Sequence, residues 1–162
     1  MGAFAAVGIE GGADVAAIVT ASGFVYLGSA ALQRQAAAWP VFAVSFVLVG
    51  VGSRVDGVNA TWVMLAIAAV LAVYGVLRGA LRPPWGLPLQ AAALLVLAAA
   101  ALIAVDANQT LAGLLVAGGL LVHAGWDTYH HRTGRVVVRS MAEFCAVLDT
   151  VLAAIVLVVT FR

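Results

Sequence analysis

Six long apolar stretches divide this chain, and short runs of polar or turn-forming residues separate them. A bilayer core about 30 Å thick takes roughly 20 apolar residues as a helix, within a range of about 17–25. On that measure the pattern predicts helices near 13–32, 37–52, 60–77, 87–105, 110–129 and 141–161. The interruptions are Gln33-Arg34-Gln35, the run Gly52 to Asn59, Arg82-Pro83-Pro84-Trp85-Gly86, and Asp106-Ala107-Asn108-Gln109. Connections this short make consecutive helices antiparallel neighbours. Pro40 falls at the start of the second and shortest segment, where a proline is tolerated because a first-turn N–H has no helical partner to lose. The predicted fold is an all-α integral membrane protein, a bundle of six transmembrane helices with short loops, forming one domain over residues 1–162.

Composition narrows the class further. The chain is 65% hydrophobic and 9% charged, and its mean hydropathy is +1.13. A water-soluble domain carries about 25% charged and about 45–50% apolar residues, so there is too little polar material here to cover a water-facing surface. The bilayer itself is the expected partner, with neighbouring membrane subunits or a second copy as further candidates. No basic run points to nucleic acid. All eight basic residues are arginine, in a chain rich in Ala, Val, Leu and Gly; this composition points to a bacterial source and a cytoplasmic, multi-pass membrane location. One cysteine, Cys145, allows no internal disulfide. The start of the chain carries Glu10 and Asp14 in place of the positive charge of a secretory leader, so the first apolar segment reads as a retained helix.

The arginines predict an orientation. Arg34, Arg78, Arg82, Arg132, Arg135 and Arg139 flank the connections after segments one, three and five, against Arg54 and Arg162 on the other side. An arginine-rich side is the cytoplasmic side, which sends both termini outward together with Glu10, Asp14, Asp56 and Asp106. Trp39, Trp62, Trp85 and Trp126 all fall near predicted helix ends, where interfacial aromatic anchors sit.

Against this background one stretch stands apart. Residues 123–149 hold all three histidines, the only cysteine, and Asp127, Glu143 and Asp149. Ionisable side chains in a bilayer are costly and mark functional sites by default. With 3.6 residues per turn, His123, Asp127 and His130 lie within roughly 60° of one another on one face of the fifth helix. Imidazole and carboxylate ligands suit divalent Zn, Fe, Mn or Ni, so these three are the candidate metal ligands, with His131 and Cys145 as weaker additions. The same groups form a workable proton site, since histidine titrates near neutral pH. Glu143 and Asp149, on the returning sixth helix, are the candidate catalytic bases. By rise alone His123 and Cys145 lie roughly 8–9 Å in from the cytoplasmic helix ends, with Asp149 a turn deeper.

Plainer roles compete for the same residues. His130 and His131, with Arg132, suit a cationic cap on the end of the fifth helix. Glu143 is placed for an ion pair with Arg139 four residues before it, and Asp127 for a pair with Arg132, Arg135 or Arg139. Cys145 suits a small buried hydrophobe. His123 and Asp149, both well inside the apolar zone, suit either a working site or a single hydrogen bond locking two helices together. The polar and small residues of the first helix, Thr20, Ser22, Gly23, Tyr26, Gly28 and Ser29, read as packing positions. The first helix pair also aligns loosely with the last pair, Leu27 standing where His123 is and Ala31 where Asp127 is; parallel repeats of this kind occur in transporters.

No Walker loop, Gly-x-Ser-x-Gly, His-Glu-x-x-His or Cys-x-x-Cys motif occurs. Three functions remain. The first is a small binding or transport-type membrane protein whose His/Asp/Glu cluster, near the cytoplasmic face between helices five and six, handles a proton or a divalent metal ion. The second is a membrane-embedded, metal-dependent enzyme acting on a lipid or other apolar substrate. The third is an accessory or structural subunit of a larger membrane complex.

Overall fold

Each apolar segment becomes a helix, and the boundaries follow from local chemistry. The computed structural model describes residues 12–55 and 57–162. Its helices are α1 (Gly12–Ala31), α2 (Ala38–Gly52, entered through a short 3-10 turn at Gln35–Ala37), α3 (Ala60–Leu77), α4 (Leu87–Asp106), α5 (Gln109–Thr133) and α6 (Arg139–Thr160). No strand occurs among the described residues. Asn59 and Asn108 cap α3 and α5, their side-chain oxygens accepting from the N–H groups of Trp62 at 3.2 Å and Leu111 at 2.9 Å; each satisfies a donor that the first helical turn leaves free. Pro88 falls in the first turn of α4, where it costs no helical hydrogen bond.

Among the described residues, five helices are long and apolar enough to cross a membrane: Gln35–Gly52 with its 3-10 entry, Ala60–Leu77, Leu87–Ala104, Gln109–Thr133 and Arg139–Thr160. Helix α1 is also apolar, over Ala16–Ala31. Large apolar side chains also face outward, among them Phe46, Val70, Leu77, Leu95, Val96 and Val122. A monomer in water does not display apolar surface on this scale, and lipid is the solvent that accepts it. The chain is a helical membrane protein. Glu10 and Asp56, expected on the outer side, lie outside the described residues.

Helix α1 is the hub, packing on α2, α3, α4 and α5. The expectation that consecutive helices are neighbours fails for α3 and α4, which barely touch each other and instead both pack against α1. Small residues permit this. A Cβ on Gly75 of α3 would lie 3.0 Å from the Cα of Ala31 and 2.7 Å from Leu87, so only glycine lets α3 come this close to α1 and the start of α4. The most extensive pairing is α5 against α6.

The connections after α1, α3 and α5 gather at one end of the bundle. Gln35 donates to the carbonyl of Gly134 at 2.8 Å, and the Arg135 guanidinium lies 4.9 Å from the centre of the Trp85 ring. Helix α5 continues past the predicted stop at Tyr129 to Thr133 and ends where Gly134 turns left-handed (φ 61°), its N–H bonding the His130 carbonyl at 2.8 Å. Glycine adopts this conformation without steric cost. Helix α6 starts two residues earlier than predicted, at Arg139. The added turn has a consequence for depth. At 1.5 Å per residue, His123 lies about 15 Å from the Thr133 end of α5 and Asp149 about 15 Å from the Arg139 end of α6. His123 and Asp149 therefore sit at mid-bundle, His123 deeper than the predicted 8–9 Å.

The core separates into two apolar layers around that level. One contains Phe24, Tyr26, Met64, Met141 and Cys145. The other contains Val19, Leu97, Val116, Leu120 and Ala153. His123 and Asp149, on α5 and α6, fall between Leu120 and Ala153 of the second layer and Cys145 of the first.

Candidate metal centre

Three ionisable side chains meet in this middle level. His123 Nδ1 lies 2.9 Å from Asp149 Oδ2 and 3.2 Å from Asp127 Oδ2. His123 and Asp127 are one turn apart on α5, and Asp149 reaches across from α6. All three are buried, at 4%, 0% and 3% exposure, so bulk water does not solvate their charge. A potential ligand atom from each lies within 4.8 Å of the others. On the far side of Asp127, the Tyr26 hydroxyl donates to Oδ1 at 2.6 Å.

Hydrogen bonding leaves this group incomplete. With Asp149 ionised, and so only accepting, the hydrogen of this contact lies on His123 Nδ1. That one N–H is directed at Asp149 Oδ2 and not at Asp127 Oδ2. It serves Asp149, and Asp127 Oδ2 is left without a hydrogen-bond partner although it is fully buried. Charge is incomplete as well: two carboxylates face one imidazole, and no arginine makes an ion pair with them among the described residues. Uncompensated charge in an apolar interior is strongly unfavourable. A divalent cation among Nδ1 and the two Oδ2 atoms would engage all three ligands and neutralise the carboxylates, taking the place of the Nδ1 proton. One nitrogen and two oxygens suit borderline and hard dications such as Zn, Fe or Mn, and three protein ligands leave further positions open.

The remaining predicted residues are distributed differently. His130 lies on the same side of α5 but is not brought into the ligand group. Its Nδ1–H donates to the Trp126 carbonyl at 2.9 Å, and its Nε2 accepts from the Gln90 amide at 3.4 Å, so neither nitrogen is free. It is also no surface cap, being 1% exposed and edge-on to the rings of Tyr26 and Tyr129. His131 bonds across the loop instead, its Nδ1 donating to the carbonyl of Arg139, the first residue of α6, at 3.2 Å. Cys145 is buried one turn from Asp149, its thiol 3.5 Å from the Met141 sulfur. Glu143 is exposed and makes no ion pair among the described residues, Arg139 included. Asp127 turns inward to His123 and Tyr26, away from the arginines of the loop.

Two participants lie outside the sequence-predicted candidates: Tyr26, a packing position of the first helix on sequence grounds, and Gln90 of α4. Gln90 is fully buried; its amide also donates to the Trp85 carbonyl at 3.2 Å, and its oxygen accepts from the Trp126 indole at 3.3 Å. Trp126 is thereby part of this network as well as sitting near the helix end. The available signal was weak but physical: a glutamine set in an apolar helix needs partners from another helix.

No family model, curated protein or solved structure matches this chain. Its functional reading rests on the site itself.

Proposed function

We propose that this is a cation-binding membrane protein whose site is His123, Asp127 and Asp149, and that its physiological ligand is a divalent metal ion. One observation carries the reading: three buried ligand side chains converge within 4.8 Å, and one of them keeps an unpartnered oxygen, Asp127 Oδ2, on the side facing the other two. A lock between α5 and α6 needs only one His–Asp contact; the second carboxylate is redundant for a lock and required for a cation.

The surrounding polarity favours access from one end. From the cluster toward the arginine-rich end, polar groups continue through His130, Gln90, the Tyr129 hydroxyl and Arg135, the last two joined at 3.2 Å. Toward the other end the polar groups are fewer: α6 offers Thr150 and Thr160, each hydroxyl turned back onto the carbonyl four residues before it, and α1 offers the single buried hydroxyl of Thr20. This supports a site loaded and emptied from the same side over a route crossing the whole bundle. In this reading that side is the cytoplasmic one, as the arginine bias favours, and the membrane is a bacterial one, as the composition favours.

The test is metal content by elemental mass spectrometry on protein purified in mild detergent. Near-stoichiometric metal in the wild type, lost from Asp149→Asn and from a His123→Ala, Asp127→Ala double variant that both elute as folded protein, is the expected result. Wild-type protein that neither carries nor takes up zinc, manganese, iron or cobalt would overturn it and leave a helix lock.

A further inference from the structure

Tyr26 comes from a different part of the chain, on the central helix α1, and is 1% exposed. Its hydroxyl donates to Asp127 Oδ1 at 2.6 Å, the shortest hydrogen bond to the cluster. Its ring stands edge-on to both His123 and His130, with centroids 5.4 and 4.9 Å away. The two oxygens of Asp127 are thus in opposite situations. Oδ1 is held by the phenol, and Oδ2 faces His123 and Asp149 with nothing bound to it.

We infer that Tyr26 is a positioning residue for the cation site: its hydroxyl fixes the rotation of the Asp127 carboxylate so that a single oxygen, Oδ2, is presented to the ion. This rests on the cation-binding reading above. The physical reason is general. Carboxylates that ligate metals are themselves held by outer hydrogen bonds, and losing such a partner typically lowers metal affinity about 10–100-fold. Without the phenol, Asp127 is free to rotate about its terminal bond and to offer either oxygen or both. The inference also gives α1 a function beyond packing, because ion occupancy on α5 and α6 becomes linked to the helix around which the bundle is built.

Cobalt(II) titration of the detergent-solubilised protein tests this, read by affinity and by the visible ligand-field spectrum. Tyr26→Phe keeps the ring and removes only the hydroxyl. The expected result is a 10–100-fold weaker affinity and an altered cobalt spectrum, with Tyr74→Phe, on the exposed face of α3, matching the wild type in both. Equal affinity and an identical spectrum for Tyr26→Phe, beside a wild type that binds, would overturn the inference and leave the cation reading standing. A wild type that binds no cobalt would remove both. A second measurement does not depend on the variant folding. The chain has three tyrosines, and in fluorotyrosine-labelled wild type zinc should shift the Tyr26 fluorine resonance and leave that of Tyr74, exposed on α3, in place. A Tyr26 resonance unmoved by saturating zinc would also overturn the inference.

Discussion

His123 and His130 lie seven residues apart on the same side of one helix, both buried, yet they sit in chemically opposite surroundings. Around His123 the neighbours are acceptors: two carboxylates converge on one N–H, and one carboxylate oxygen goes without a partner. Around His130 donors and acceptors balance. Its Nδ1 donates to the Trp126 carbonyl, and its Nε2, the Gln90 amide and the Trp126 indole satisfy one another and bind α4 to α5. A satisfied network rigidifies a core, whereas a partly satisfied one marks either a defect or a place for a ligand. The lesson is that residue type and helical face do not distinguish a ligand from a scaffold; the tally of neighbouring donors and acceptors does.

The sharpest way to break this comparison is to remove a carboxylate. Asp127→Asn or Asp149→Asn should abolish cation binding at micromolar concentrations in a zinc titration, and either variant binding like the wild type would erase the distinction drawn for His123. A smaller effect of a different kind is expected for His130→Ala. Zinc affinity should change by no more than a few-fold, while the thermal midpoint in detergent should fall, because the Gln90 amide loses its acceptor and a cavity opens; an unsatisfied buried group costs about 1–3 kcal/mol. Should His130→Ala lose zinc as completely as the Asp variants, the two histidines belong to one site. Smallest of all should be Glu143→Gln. This exposed side chain should shift stability by no more than about 0.5 kcal/mol and leave zinc affinity unchanged, and a large loss in either would return it to the site.

Much of the architecture was legible along the chain. All six apolar stretches are helices, and the turn runs that end in Asn59 and in Asn108-Gln109 mark the starts of α3 and α5. Stretches of this length and composition have few alternatives in a bilayer, where every backbone polar group must bond within its own segment. The pairing of His123 with Asp127 was equally legible, being a matter of one helical turn, and Asp149 was recognised as a buried polar residue on the adjoining helix.

What the tertiary structure alone decided is which groups from different helices share a depth and a rotation. It set Asp149 level with His123, brought Tyr26 from a helix about a hundred residues earlier onto Asp127, and drew His130 away to Gln90. It also made α1 the hub and separated α3 from α4. Helical periodicity is a local property and is written in the spacing of residues. Contacts between helices depend on how small residues let backbones approach, and helices that are apolar on every side carry no stripe to announce which face turns inward.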